Sequence, residues 1–210
     1  MKGVRWLLGS ANPGQALGRY EPEHEAQFIQ LLQGSSVLWD VGAHVGWYSM
    51  LAAKHLPQSA TILSFEPNPK NVNFLERHCL LNGFTQIKVH SIALCNSNGS
   101  ANFSDNAQQS HLRAEGEYKV KTARSDDYMD ELNTAPDFIK LDIEGAEYDF
   151  LKGAERLISI NRPQILLSAH GHQKRDQCID WLEKHEYTIR HLVSNEQQGD
   201  YVFHAIPPKD

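Results

Sequence analysis

Ser36-Val-Leu-Trp-Asp-Val-Gly-Ala-His-Val-Gly-Trp-Tyr-Ser-Met-Leu-Ala-Ala-Lys54 decides how the rest of this 210-residue chain is read. Val37, Leu38, Trp39 and Val41 make a short apolar run of the kind buried in a parallel sheet. Gly42 and Gly46 frame a tight turn, and from Trp47 to Ala53 the apolar positions recur at helical spacing. A strand, a glycine loop and a helix in that order bring backbone N–H groups and a helix N-terminus close to a ligand, since glycine admits an approach that a Cβ would block. Asp40 selects among ligands. A carboxylate at the strand end repels a pyrophosphate held in the loop but accepts hydrogen bonds from an ammonium or hydroxyl group.

Thr61-Ile-Leu-Ser-Phe-Glu66 supplies a second short strand, ending in an acid twenty residues after Gly46. Doubly wound folds place there the carboxylate that holds the two ribose hydroxyls of an adenosine. Asp40 and Glu66 together point to S-adenosylmethionine rather than NAD, with Gly42, His44 and Gly46 as the loop. Asn68 caps the next helix, over which Pro69 fits the first turn and Asn82-Gly83 ends the run. Its side chain is also a candidate for the adenosine.

Asp40-Val-Gly-Ala-His-Val-Gly-Trp-Tyr-Ser49, Phe65-Glu-Pro-Asn-Pro69 and Ile139-Lys-Leu-Asp-Ile-Glu-Gly-Ala-Glu147 resemble, in order and spacing, the successive motifs of the FkbM family of S-adenosylmethionine-dependent methyltransferases. The resemblance covers about residues 5–170. It implies a three-layer, Rossmann-like class I methyltransferase fold and methyl transfer to a hydroxyl oxygen of a sugar or other small metabolite, polyketide-like molecules included. Three positions depart from the family pattern: His44 replaces asparagine, Ser125 replaces leucine, and Ser168 replaces a glutamate two residues before His170. The last removes one acid from any inherited acid–base scheme.

Length and a 40% hydrophobic composition suit one well-buried domain over 36–210, preceded by an N-terminal segment and covering helix over 1–35. The formal charge of −6, with no long basic run, argues against a nucleic-acid footprint. Cys79, Cys95 and Cys178 form no close pair or metal-binding spacing, the N-terminal apolar stretch is too short for a signal peptide, and no long apolar run spans a membrane. These features predict a cytoplasmic protein. Arg5, Trp6 and Tyr20 either cover a ligand cleft or pack on the surface, and His78 reads as a packing residue.

Further strands are expected over Ile87–Leu94, Pro136–Asp142 and Pro163–His170, with a surface or active-site loop over 96–118 and a last helix over Gln177–His185. Tyr187–Leu192 and Tyr201–Ile206, joined by a polar turn over 195–200, complete a seven-stranded, mainly parallel sheet with an antiparallel edge. Ser91 and Ala93, after the third strand, are adenine-pocket candidates. Lys140 and Asp142 share one face of their strand. With Asp142 and His170 at neighbouring strand ends, this rim is the expected acceptor side: Asp142 and His170 act on the acceptor, His170 with an ordinary pKa suited to removing its proton, while Lys140 and Glu144 order the rim. Glu147 is expected to cap its helix. Two separated donors, Asp142 and His170, do not make a coordination shell, so transfer without a metal is expected. The competing readings are an NAD-dependent enzyme and a non-catalytic cofactor-binding protein.

Overall fold

The computed structural model describes residues 3–10, 22–106, 109–113, 118–195 and 199–208. Tyr20, part of the polar run at 105–118 and part of the turn at 195–200 lie outside them.

Seven strands form the central sheet: β1 (Val37–Val41), β2 (Thr61–Phe65), β3 (Ile87–His90), β8 (Phe138–Leu141), β9 (Gln164–His170), β10 (Thr188–Asn195) and β11 (Asp200–Ile206). Their order is β10-β11-β9-β8-β1-β2-β3. All neighbouring pairs are parallel except the two that β11 makes, with β9 and β10. The antiparallel strand therefore sits one place in from the edge. The central strands are apolar on both faces because helices cover both. On one face α1 (Pro22–Leu31), α2 (Trp47–His55) and α3 (Pro69–Asn82) bury Phe28, Met50, Leu51 and Leu75 against Leu38, Ile62 and Phe138. On the other, α4 (Ser125–Leu132), α5 (Glu147–Gly153), a π-helical turn (Leu157–Asn161) and α6 (His172–Lys184) enclose Trp39, Phe65, Ile139, Phe150 and Phe203. No helix is long and apolar enough to cross a membrane, among the described residues.

Three expectations change. The run 87–94 is not one strand: the chain leaves the central sheet after His90, and Ala93–Cys95 becomes β4 of a second sheet. The supposed loop over 96–118 contains β5 (Gly99–Asn106) and β6 (Gln109–Arg113), which with β7 (Tyr118–Arg124) complete that sheet in the order β4-β7-β5-β6. Ser, Asn and Gln are frequent in β5 and β6, so apolar alternation does not announce these two strands. Finally, α6 starts at His172, five residues before the expected start, in a polar first turn.

At the N-terminus, Trp6 stacks on Trp47 at 5.3 Å and packs edge-on to His78 at 4.6 Å, which makes it a packing residue. His78 is fully buried: Nδ1–H donates to the carbonyl of Val45 at 2.9 Å, and Nε2 accepts the N–H of Leu7 at 3.2 Å. One imidazole tautomer thus ties the N-terminal segment to the glycine loop.

Candidate active site

Sheet order reverses between β1, which continues to β2 and β3, and β8, which continues to β9. Ligands of open α/β sheets bind outside the carboxyl ends of the strands at such a point. There the loop after β1 turns on Gly42 (φ 81°) and Gly46 (φ 94°). The N–H groups of Gly42 and Ala43 both donate to the carbonyl of Phe65 at 3.0 and 3.1 Å, which fixes the loop over the end of β2. A Cβ on Gly42 would lie 1.9 Å from the carbonyl oxygen of Asp142. The glycine loop and the rim that follows β8 are therefore in direct backbone contact.

Glu66 is 5% exposed. Its Oε2 accepts the N–H of His44 at 2.8 Å, while Oε1 accepts the N–H of Asn68 at 2.8 Å and the side-chain amide of Asn71 at 3.4 Å. A carboxylate offers about four lone-pair positions. Three are used in bracing the loop, which leaves room for one further donor rather than the expected pair of ribose hydroxyls. Burial raises this carboxyl to about 7 against the opposing pull of the Asn68 and His44 N–H groups. Asn68 caps α3 by accepting the N–H of Lys70 at 2.9 Å and is 1% exposed. The side chain of His44 is exposed, with its backbone at φ 51°, so its imidazole is not buried in the loop as an inward placement requires.

Asp40 also departs from expectation. It is fully buried and faces a polar row, not an open ligand cleft. Strand register aligns Ser64, Asp40 and Lys140 on adjacent strands, and Ser49 descends on them from α2. Ser49 Oγ donates to Asp40 Oδ2 at 2.5 Å and lies 2.7 Å from Ser64 Oγ. Lys140 Nζ stands 3.9 Å from Asp40 Oδ1, an oxygen with no hydrogen-bond donor. Burial raises the Asp40 carboxyl, and Lys140 opposes that rise. Asp40 is thus held by Ser49 on one oxygen and stands beside Lys140 on the other. Ser91 is exposed beyond the end of β3, whereas Ala93 packs with Phe103 and Val120 inside the second sheet. Ala93 is a core residue, because the chain has left the central sheet before reaching it. The sequence reading missed His90 at the end of β3, whose ring stacks on Phe65 at 5.2 Å and meets Tyr128 Oη at 3.0 Å.

The rim itself converges as expected. Lys140 Nζ is 3.3 Å from Asp142 Oδ2, and His170 Nε2 is 3.0 Å from Asp142 Oδ1 and 3.9 Å from Glu144 Oε2. The other ring nitrogen of His170 lies 3.2 Å from Asp200 Oδ1. Asp200 is directly opposite His170 in the β9–β11 register, a pairing without a local sequence signal. Glu147 does not cap its helix as expected: it is the first residue of α5, and its Oε1 accepts the N–H groups of Ile143 at 3.2 Å and Gly145 at 2.9 Å, bracing the turn before the helix. Burial works against charge on both Asp142 and His170, but their mutual contact prevails. Lys140 and His170 hold Asp142 well below the usual carboxylate range. Asp142, Glu144 and Glu147 push His170 up to about 10. These carboxylates favour the protonated imidazole over the neutral form that a general base needs. Glu144, half-buried, is raised by its burial. Beside it a cavity of about 330 Å³ opens between the second sheet and the start of α5, lined by Ser97, Asn98, Ser100, Thr122, Glu144 and Lys174 among others.

Comparisons with known proteins identify the family. The family model described as a methyltransferase FkbM domain matches residues 40–202. Hexuronic acid methyltransferase AglP of Haloferax volcanii is 29% identical over 147 residues, which are 65% of this chain and 59% of that protein. Methyltransferase 1 of Beauveria bassiana is 24% identical over 147 residues, 57% of this chain and 59% of its own length. The chain thus matches about three fifths of each curated relative. Among solved structures, a methyltransferase FkbM from Methylobacillus flagellatus superposes with a TM-score of 0.59 at 21% identity, covering 89% of this chain and 51% of the other. A precorrin-6y C5,15-methyltransferase from Geobacter metallireducens gives 0.61 at 14% identity, covering 98% and 95%, a likeness of fold. The loop after β1, the acid after β2 and the rim after β8 all lie within the matched span, and the chain belongs to the FkbM methyltransferase family.

Proposed function

We propose that this protein transfers the methyl group of S-adenosylmethionine to a hydroxyl oxygen of a sugar. The observation that carries the reading is the close approach of Gly42 to the Asp142 backbone, which sets a glycine-loop cradle directly against the polar rim. In-line displacement needs donor methyl and acceptor oxygen held within about 3–3.5 Å, and these two elements are adjacent enough to hold one partner each. Gly42, Gly46, Glu66 and Asn68 form the donor side, with the backbone of His44 and, at the edge, Ser91. Asp142, Glu144, His170 and Lys140 form the acceptor side. The acceptor oxygen forms its bond to the methyl carbon as the carbon–sulfur bond breaks and its electron pair goes to sulfur. The hydroxyl proton leaves past the half-buried carboxylates of the rim to solvent.

The name of the Haloferax volcanii relative supports a sugar, and so does the hydroxyl- and amide-lined cavity beside Glu144, whose groups match a polyhydroxylated ring. Titration calorimetry with S-adenosylmethionine and with NAD is the first test, followed by mass spectrometry of sugars and uronic acids incubated with enzyme and cofactor. The expected result is S-adenosylmethionine binding and the gain of one CH2 on a hydroxylated acceptor. NAD binding without S-adenosylmethionine binding overturns the methyl-donor reading. Methylation of amines alone overturns the oxygen assignment.

A further inference from the structure

Asp142, Glu144 and His170 each present one donor atom, all within 4.8 Å of one another. Donors bound at about 2.1 Å to one cation stand about 3 Å apart at right angles and a little over 4 Å apart when opposed. From His170 Nε2 the two carboxylate oxygens lie at 3.0 and 3.9 Å, inside that range. Two of the three donors are held by a group outside the set. Asp200 faces Nδ1 of His170, the carboxylate–imidazole relay that orients metal-bound histidines, and Lys140 takes Oδ2 of Asp142 while Oδ1 faces His170.

A second observation concerns Glu147. It is fully buried, and its Oε1 holds the turn that carries Glu144, yet its Oε2 meets no hydrogen-bond donor. Its carboxylate lies within electrostatic reach of both His170 and Asp142. A buried carboxylate oxygen without a donor is satisfied by a nearby cation. Asp142, Glu144 and Asp200 outnumber Lys140 and His170, the basic groups in ion-pair contact with the rim.

We propose that Asp142, Glu144 and His170 bind one divalent cation of the Mg2+ or Mn2+ class, which takes the place of the Nε2 proton of His170 as that proton leaves to solvent, and that the acceptor's reactive hydroxyl and a neighbouring oxygen seat on it. Two carboxylates with one imidazole suit Mn2+ over Ca2+, and three protein donors leave positions open for acceptor oxygens. The seated hydroxyl is more acidic, and its proton passes to solvent by the exposed side of Asp200 as the oxygen takes the methyl carbon. This rests on the reading of the rim as the acceptor side, but binding of the ion is testable apart from it.

Mn2+ titrated into protein freed of cofactor and acceptor, followed by calorimetry and by loss of the free Mn2+ resonance signal, is expected to bind with one-to-one stoichiometry. Glu144→Gln and His170→Asn should each weaken it at least tenfold, while Glu183→Gln on the exposed face of α6 leaves it unchanged. Circular dichroism on each variant separates lost binding from lost folding. Absence of Mn2+ binding to the wild-type protein at millimolar concentration overturns the proposal, as does binding that survives the Asp142→Asn, Glu144→Gln double change. Methyl transfer that persists at full rate in excess chelator overturns it too, yet leaves the methyltransferase reading standing. Mn2+ bound with the predicted variant pattern, but with no methyl transfer across the acceptor panel, supports the ion site and counts against that reading.

Discussion

Gly42→Ala is the substitution that tests whether the cradle and the rim are mechanically one unit. The added methyl group meets the Asp142 carbonyl oxygen at 1.9 Å and the Ile143 side chain at 2.9 Å, and ordinary contact begins at about 3.4 Å. The carbonyl is backbone and cannot rotate away. The loop is equally pinned, since Gly42 and Ala43 donate to Phe65, and Asp142 N–H donates to Val41. The positive φ of 81° adds about 1 kcal/mol of strain for alanine, and forcing the overlap open adds about 1–3 kcal/mol. The sum, about 2–4 kcal/mol, lowers the melting temperature by roughly 5–15 °C for a domain of this size. Displacement of Asp142 by more than an ångström should lower turnover by about a hundredfold. Gly83→Ala is the control: Gly83 has φ 70° at the end of α3 with open space around it, so only backbone strain applies. Calorimetric melting, S-adenosylmethionine affinity and turnover are measured on both variants. If Gly42→Ala melts with Gly83→Ala and keeps parental turnover, the two elements are not coupled as argued.

Glu66→Gln should weaken S-adenosylmethionine binding by about 1.5–3 kcal/mol, read by calorimetry. Because burial raises Glu66 from 4.5 to about 7, its protonated form favours the folded state. That contribution is complete below about pH 4.5 and is lost as pH rises through 7, so melting scans from pH 4.5 to 8 should show the parent losing about 3 kcal/mol relative to the glutamine variant. Lys140→Met leaves the buried Asp40 and the half-buried Asp142 without their shared cation. A cost of about 3–5 kcal/mol in chemical denaturation is expected, and a loss under 1 kcal/mol would show that Asp40 is not held by Lys140.

The strand, glycine loop and helix were legible because period, glycine placement and the acid at residue 66 report local geometry. Asp142 and His170 were legible as rim residues for the same reason: each ends a strongly apolar strand. What eluded the sequence is set by long-range pairing. Asp200 reaches His170 only through antiparallel register, and Asp142 and Glu144 beside it raise the proton affinity of the imidazole. Ser49 and Ser64 are unremarkable in an apolar helix and strand until the fold sets them around Asp40. Ala93 was misplaced because the sequence 87–94 alternates smoothly, whereas the chain changes sheets within it.

That change of sheets makes residues 93–124 an exchangeable cassette. Its two ends are fastened to each other by the parallel pairs Ala93 with Thr122, Leu94 with Ala123 and Cys95 with Arg124. They are fastened to the domain where the Cys95 carbonyl presses so closely on Gly153 that a Cβ there would lie 1.8 Å away. Between those fixed ends the hairpin contributes no strand to the central sheet, and lengthening such a connection twofold costs only about 0.6 kcal/mol in closure entropy. The wall of the cavity beside Glu144 can therefore be rebuilt by grafting while the glycine loop stays intact, provided residue 153 remains glycine.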